Sequence, residues 1–153
     1  MTDADVLHSY GAGWNPHGAG YPIHCYKAID QHAFVQVTGN DTPPNSVVSV
    51  FVSADANCPN ALEPRRPFER LATPEGLTIG TAYDRVVELF GKPDLMRGPD
   101  AYDLVDVKPE LAKGSHYFGD MVLIYDKGPD DLLNARIFIR NGYVSAFQIS
   151  VSE

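Results

Sequence analysis

The sequence predicts an α+β protein in which an antiparallel sheet of about five to seven strands carries a short helix on one face. Three observations support this fold class. Strand-like runs rich in β-branched and aromatic residues occur in both halves of the chain. An amphipathic segment with helical periodicity spans about residues 82–90. An Asn141-Gly142 pair separates two strand patterns near the end of the chain and indicates a hairpin.

The first half predicts a meander of three strands. The runs lie at residues 21–30, 32–38 and 46–54, with a polar, proline-containing loop at 39–45. Their short connections favour antiparallel pairing. In that arrangement Cys25 of the first strand comes near Cys58, which follows the third strand, and a disulfide between them is predicted. The alternative is two unrelated buried thiols in a reducing compartment.

The helix at about 82–90 has recognisable start and stop signals. The Thr81 hydroxyl is expected to cap the first turn, and Gly91 followed by Pro93 is expected to end the helix. Val86, Leu89 and Phe90 fall on one side, whereas Arg85 and Glu88 fall on the other. The apolar side therefore predicts contact with a sheet face.

The second half predicts another meander. Strands are expected at 120–126, 134–140 and 143–151, and weaker patterns indicate a strand at 101–107 and a helical turn at 109–113. A two-residue turn at Asn141-Gly142 pairs Arg140 with Tyr143 and Phe138 with Ser145. One face of this hairpin is then apolar and suits the helix. The other face is predicted to carry Arg136, Phe138, Arg140, Tyr143 and Phe147.

The whole chain, residues 1–153, is read as a single domain. A connector with four prolines at 56–76 divides it into possible halves at 1–58 and 76–153. Both halves contain hairpin-like stretches with a similar core ("VSVF" and "VSAF"), so an internal duplication is one interpretation and chance similarity of short hairpins is the other.

Composition limits the class of partner. The 153-residue chain carries 20 acidic and 12 basic side chains, and its formal net charge is −8. This charge argues against nucleic-acid binding and against attachment to an anionic membrane surface. We expect no membrane span, because no apolar run approaches about 20 residues. "MTDADVLHSY" does not resemble a signal peptide, so Met1 is interpreted as the natural start or as a start that replaces a removed signal.

The order "LTIGTAYDRVVELFGKPD", then a tyrosine-containing stretch, then "ARIFIRNGYVSAFQIS" resembles the repeat of β-lactamase inhibitory proteins. It also resembles the related SmpA/OmlA-type outer-membrane lipoproteins. The resemblance covers about residues 76–152 and rests on the helix-to-GKP segment and the Asn-Gly hairpin. It implies helices laid on one face of an antiparallel sheet. It also implies a periplasmic or secreted protein that binds other proteins, with a cytoplasmic location as the alternative. No residue-level site of that family maps onto this chain.

The chain shows no sequence motif for catalysis or for a cofactor. The five histidines lack the close spacing of metal ligands. They are His8, His17, His24, His32 and His116. No nucleophile elbow, metalloprotease helix or phosphate loop is present. We therefore expect no catalytic residue, metal or cofactor.

The leading functional interpretation is a non-enzymatic domain that binds another protein through the Arg136, Phe138, Arg140, Tyr143 and Phe147 face. Arginine, tyrosine and phenylalanine are frequent in protein interfaces. The competing structural interpretation is that strands of the first half cover this face. The alternative function is a small-ligand-binding protein or enzyme with a site near the glycine- and aromatic-rich segment 10–22 and the histidines.

Overall fold

The computed structural model describes residues 1–15, 22–56, 58, 60–97, 119–126 and 133–151. Within these ranges the chain forms two α-helices, one 3-10 helix and seven strands. In chain order they are α1 (Asp3–Tyr10), β1 (Ile23–Ala28), a 3-10 helix (Ile29–Gln31), β2 (Ala33–Gly39), β3 (Val47–Ser53), α2 (Tyr83–Phe90), β4 (Leu95–Arg97), β5 (Met121–Asp126), β6 (Leu133–Arg140) and β7 (Tyr143–Val151).

The strands form one sheet in the order β1-β2-β3-β7-β6-β5-β4, and every neighbouring pair is antiparallel. The predicted α+β class is confirmed. The two meanders, β1 to β3 and β5 to β7, join where β3 pairs with β7, so both halves contribute to the same sheet. The weaker strand and turn predicted at 101–107 and 109–113 lie outside the described residues.

One side of the sheet, here called the helix face, packs against both helices and the connector between β3 and α2. Near β1 and β2 it buries Val6 of α1 against Tyr26, Val35 and Val37. Near β5 to β7 it buries Val86 of α2 in a larger cluster. The buried members of that cluster are Ala33, Val52, Leu77, Val86, Leu123, Tyr125, Ala135, Ile137, Ile139, Val144 and Phe147. Burial of this apolar area holds the helices on the sheet.

The other side of the sheet, here called the second face, has its own apolar cluster around Phe138. Phe138 and Phe51 are 1% and 4% exposed, and their rings meet edge to face with centroids 6.0 Å apart. Val122, Ile124 and Ala146 complete the cluster. The core is therefore divided between the two sides of the sheet.

The predicted faces of α2 agree with the structure. Val86 is buried, Leu89 and Phe90 are half-buried, and Arg85 and Glu88 are exposed. Arg85 Nη1 lies 2.8 Å from Glu88 Oε2, one helical turn away on the solvent side. Gly91 ends the helix as predicted, with φ of 79°.

The predicted cap of α2 is wrong. The helix begins at Tyr83, its N-cap residue is Ala82, and no side chain caps it. The Thr81 hydroxyl instead accepts a hydrogen bond from the Thr78 amide at 3.1 Å. The first helical amide, that of Tyr83, donates to the carbonyl of Gly142 at 2.9 Å. The β6–β7 turn therefore satisfies a donor that a capping hydroxyl satisfies in many other helices.

A register shift changes the predicted faces of the last hairpin. Arg140 pairs with Tyr143 and Ile139 with Val144 as expected, but Phe138 pairs with Ala146 rather than Ser145. The irregularity lies beside Phe138 and Ile139, where one extra residue of β7 is accommodated. Beyond it, side chains of β7 exchange faces. Phe147 thus belongs to the helix face, and its predicted place beside Phe138 is wrong.

Three elements were not predicted: α1, the 3-10 helix and β4. Helix α1 is held by a capping box in which the Thr2 hydroxyl accepts from the Asp5 amide and the Asp5 carboxylate accepts from the Thr2 amide. Strand β4, with three residues, pairs with β5. None of the described helices is long and apolar enough to span a bilayer.

The predicted disulfide is present. Cys25 and Cys58 are bonded, and both are buried with Ile23, beside Trp14 and Ala61. Two short stretches also bond to the outer edge of β1. Trp14 exchanges backbone hydrogen bonds with Cys25 at 2.9 and 3.1 Å, and the Lys27 amide donates to the Leu62 carbonyl at 2.9 Å. Gly13 permits this approach, because a Cβ there would lie 2.9 Å from the Cys25 amide nitrogen.

Candidate functional site

The structure brings together only part of the predicted binding face. Arg136, Phe138 and Arg140 alternate along β6 and lie on the second face, with Tyr143 opposite Arg140. Phe138 is buried in the core of that face, and Phe147 is buried on the helix face. The aromatic surface expected from the two phenylalanines is therefore absent among the described residues, and Tyr143 is the predicted aromatic residue that reaches solvent.

Tyr143 and Arg140 form the accessible end of the predicted face. Tyr143 is 57% exposed, at the first position of β7. Arg140 lies directly across the strand pair, and its Nη1 is 2.7 Å from Asp55 Oδ2. This ion pair anchors the guanidinium to the segment that follows β3, so the surface beside Tyr143 has a fixed charge arrangement.

A shallow cleft lies at the same end of the sheet, but on the helix face, so the sheet separates it from the Tyr143 side chain. It is lined by Tyr83, Asp120, Met121, Ile139, Asn141 and Gly142 and has a volume of about 290 Å³. We call it the hairpin cleft. Its walls come from the start of α2, the start of β5 and the β6–β7 turn.

Backbone hydrogen bonds fix the walls of the hairpin cleft. The Gly80 amide donates to the Val144 carbonyl and the Val144 amide donates to the Thr81 carbonyl, both at 2.8 Å. On the other wall the Asn141 amide donates to Asp120 Oδ2 at 3.0 Å. The turn itself has positive φ at Asn141 and Gly142, 52° and 83°. The cleft is thus formed before any ligand arrives.

The residues that line the hairpin cleft are of the types found in protein interfaces rather than in catalytic sites. Tyrosine and methionine side chains supply apolar area, and Asp120 supplies one carboxylate at the rim. None of its described lining residues is a serine, cysteine or histidine that would serve as a nucleophile or general base. Sequence reasoning missed Tyr83, Asp120 and Met121. The pairing of Ala82 with Tyr143 brings Tyr83 to the cleft, and the pairing of β5 with β6 brings Asp120 and Met121; no local pattern shows either contact.

The alternative site near residues 10–22 falls partly outside the described residues, since 16–21 are not described. In the described part, the Gly13 amide donates to His24 Nδ1 at 3.2 Å, and His24 Nε2 lies 2.7 Å from Asp3 Oδ1. The Tyr26 hydroxyl donates to the Gly11 carbonyl at 2.7 Å. Both ring nitrogens of His24 are used to hold α1 and the following segment on β1. In the ranges described, no group of three His, Cys, Asp or Glu side chains is placed to hold a metal ion.

Burial of the Tyr26 hydroxyl makes the stability of the fold depend on pH. Burial, together with the nearby Asp3 carboxylate, raises the pKa of Tyr26 to about 12. A phenol with a raised folded-state pKa stabilises the fold fully below pH of about 10, and this contribution is lost as pH rises toward 12. We expect urea denaturation of the native protein to show a loss of up to about 3 kcal/mol from Tyr26 over this window.

The matched variant is Tyr26→Phe, which lacks the ionising group. It is expected to be less stable than the native protein at pH 8, because it loses the hydrogen bond to Gly11. The difference between the two proteins should shrink between pH 10 and 12. A difference that stays constant across this range contradicts the assignment.

Comparison with known proteins gives a fold relationship. A DUF4309 family protein, YjgB, from Bacillus subtilis has a similar structure, with a TM-score of 0.51 and 10% sequence identity. The alignment covers 99% of this chain and 79% of that one. At this identity the likeness concerns the fold alone. No protein-family model and no curated protein matches the sequence.

Proposed function

We propose that this chain is an exported, non-enzymatic domain that binds another protein through the sheet end formed by Tyr143 and the hairpin cleft. The observation that carries the proposal is Tyr143, a large side chain that is 57% exposed at the sheet end whose opposite face carries the hairpin cleft. Tyrosines are frequent anchors of protein interfaces.

The charge arrangement supports a partner with a basic residue near the anchor. Asp120 is exposed at the rim of the cleft and has one carboxylate oxygen bonded to the Asn141 amide. Arg140, the cross-strand partner of Tyr143, is paired with Asp55. The chain as a whole carries a formal net charge of −8, which favours encounter with a basic surface.

Export is supported by the disulfide. Cys25 and Cys58 are bonded and buried, and such bonds persist in oxidising compartments. The resemblance of residues 76–152 to inhibitor and envelope-lipoprotein repeats points in the same direction. We infer a periplasmic or secreted location from these two observations together.

Replacement of Tyr143 by alanine tests the proposal. The partner is first identified by a photo-crosslinking residue placed at position 143, and its affinity for the purified chain is then measured by calorimetry. Tyr143→Ala is expected to weaken binding by more than about 1 kcal/mol, or roughly fivefold. The melting temperature should hardly change, because the side chain is mostly in solvent.

Ile29→Ala is the matched control. Ile29 is 58% exposed, almost the same as Tyr143, but it lies in the β1–β2 connection, on the far side of β2 and β3 from β7. It should leave the affinity unchanged. Equal losses for both variants, or a crosslinked partner whose affinity is unaffected by Tyr143→Ala, would contradict the proposed docking surface.

A further inference from the structure

A second, more enclosed pocket lies on the helix face, near the C-terminal end of α2. Its floor is a row of three cross-strand neighbours, since Tyr125 pairs with Ala135 and Ala135 pairs with Ile149. The small side chain of Ala135 between two larger ones leaves a depression. Phe90 from α2 and the turn that contains Thr73 and Glu75 form the walls, and Asn134 lies at the margin.

The two aromatic side chains of this pocket are held in place. The Tyr125 hydroxyl donates to the Gly91 carbonyl at 2.9 Å, which fixes the ring beneath the end of α2. The Phe90 ring is tilted by 44° against it, with centroids 5.6 Å apart. Two aromatic rings therefore border the same space and give it an apolar wall.

Glu75 supplies a negative charge at the pocket mouth. The residue is exposed, and its carboxylate makes no hydrogen bond or ion pair with the described part of the chain. None of the described lining residues is a lysine or an arginine. Thr73 adds a hydroxyl whose oxygen accepts from the Leu77 amide at 3.2 Å, so its hydrogen is available to a ligand.

We propose that this pocket binds a primary alkylammonium group, with the alkyl chain against Ala135, Ile149 and the two rings and the ammonium directed to Glu75. The volume of about 70 Å³ suits a group of a few heavy atoms. A free amine and the side chain of a lysine on another protein present the same chemistry. This site is separate from the hairpin cleft at the start of α2, so it does not depend on the docking proposal.

Titration of the full chain with n-butylammonium, followed by amide chemical shifts, tests the proposal. n-Butanol, at matched ionic strength, is the neutral control. We expect saturable shifts at Glu75, Asn134 and Ala135 and at least about fivefold weaker binding of butanol. Glu75→Gln should weaken butylammonium binding about fivefold and leave butanol binding unchanged.

Two further variants test whether the effect is specific to Glu75 and to this pocket. Glu63→Gln removes an exposed glutamate that lines a different surface depression, and it should leave the affinity unchanged. Ala135→Leu fills the floor and should abolish binding of both probes; the Glu75→Gln comparison still decides the question if this variant does not fold.

The affinity of a short blocked peptide with one central lysine, compared with that of butylammonium, distinguishes a partner's lysine from a free amine. Tighter binding of the peptide than of butylammonium assigns the site to a partner's lysine, and weaker binding assigns it to a free amine. The absence of saturable shifts, equal affinities for butylammonium and butanol, or an affinity unaffected by Glu75→Gln would overturn the proposal.

Discussion

Phe138→Ala is expected to lower the free energy of unfolding by about 3–5 kcal/mol. Phe138 is 1% exposed and forms the centre of the cluster on the second face, where its ring meets Phe51 edge to face. Truncation removes its buried apolar area and leaves a cavity that the paired strands β5, β6 and β7 cannot close without moving. Chemical denaturation, monitored by circular dichroism, measures the loss.

Tyr143→Ala is the control for this experiment, since Tyr143 is also an aromatic residue of the same hairpin but is 57% exposed. It should change the free energy of unfolding by less than about 0.5 kcal/mol. Equal losses in the two variants would contradict the burial of Phe138 and the exposure of Tyr143.

Loss of the Cys25–Cys58 disulfide is expected to lower the free energy of unfolding by about 4 kcal/mol. The bonded residues are 33 positions apart, and in the chain-entropy model a loop of this length gives a stabilisation of that size. The double variant Cys25→Ala/Cys58→Ala, compared with the oxidised protein in urea, measures the loss without a reducing agent.

Trp14 offers a local reporter for the same experiment. It is the single tryptophan of the chain and is partly buried against Cys25, Cys58 and Ile23. Its fluorescence should therefore change in the double variant before global unfolding begins. Two titratable thiols in denatured, unreduced protein isolated from its natural compartment would contradict the bond and the inference of export.

The sequence predicted the regular parts of the fold because their signals are local. β-Branched runs identified β1, β2, β3, β5, β6 and β7, and Asn141-Gly142 identified the turn, since a type of turn that needs positive φ at both positions selects these residues. The buried side of α2 followed from the spacing of Val86, Leu89 and Phe90.

The failures arose where distant segments decide the structure. Thr81 is a good capping residue by local chemistry, but Gly142 supplies the acceptor for the first amide of α2, and no local pattern reveals that contact. The register shift between β6 and β7 beside Phe138 is likewise invisible to local sequence patterns. It exchanges the faces of Ala146 and Phe147, so a strict alternation from the turn assigns both to the wrong side.

The candidate site was predicted less well than the fold for this reason. Arg140 and Tyr143 adjoin the turn, where the register is still regular, and the structure pairs them as expected. Phe147 lies beyond the shift and proved to be a core residue. The rest of the hairpin cleft comes from the starts of α2 and β5, which the sequence places far from the turn.

The backbone contacts on the outer side of β1 have a consequence for solubility. A terminal strand of a sheet presents unpaired amides and carbonyls that recruit strands from other molecules and seed aggregation. Here the amide and carbonyl of Cys25 are bonded to Trp14, and the amide of Lys27 is bonded to Leu62, so these positions cannot accept a foreign strand. The Cys25–Cys58 bond lies at the same place and links the segment shortly before Leu62 to β1. The disulfide therefore helps to prevent aggregation through the edge of β1, in addition to stabilising the fold.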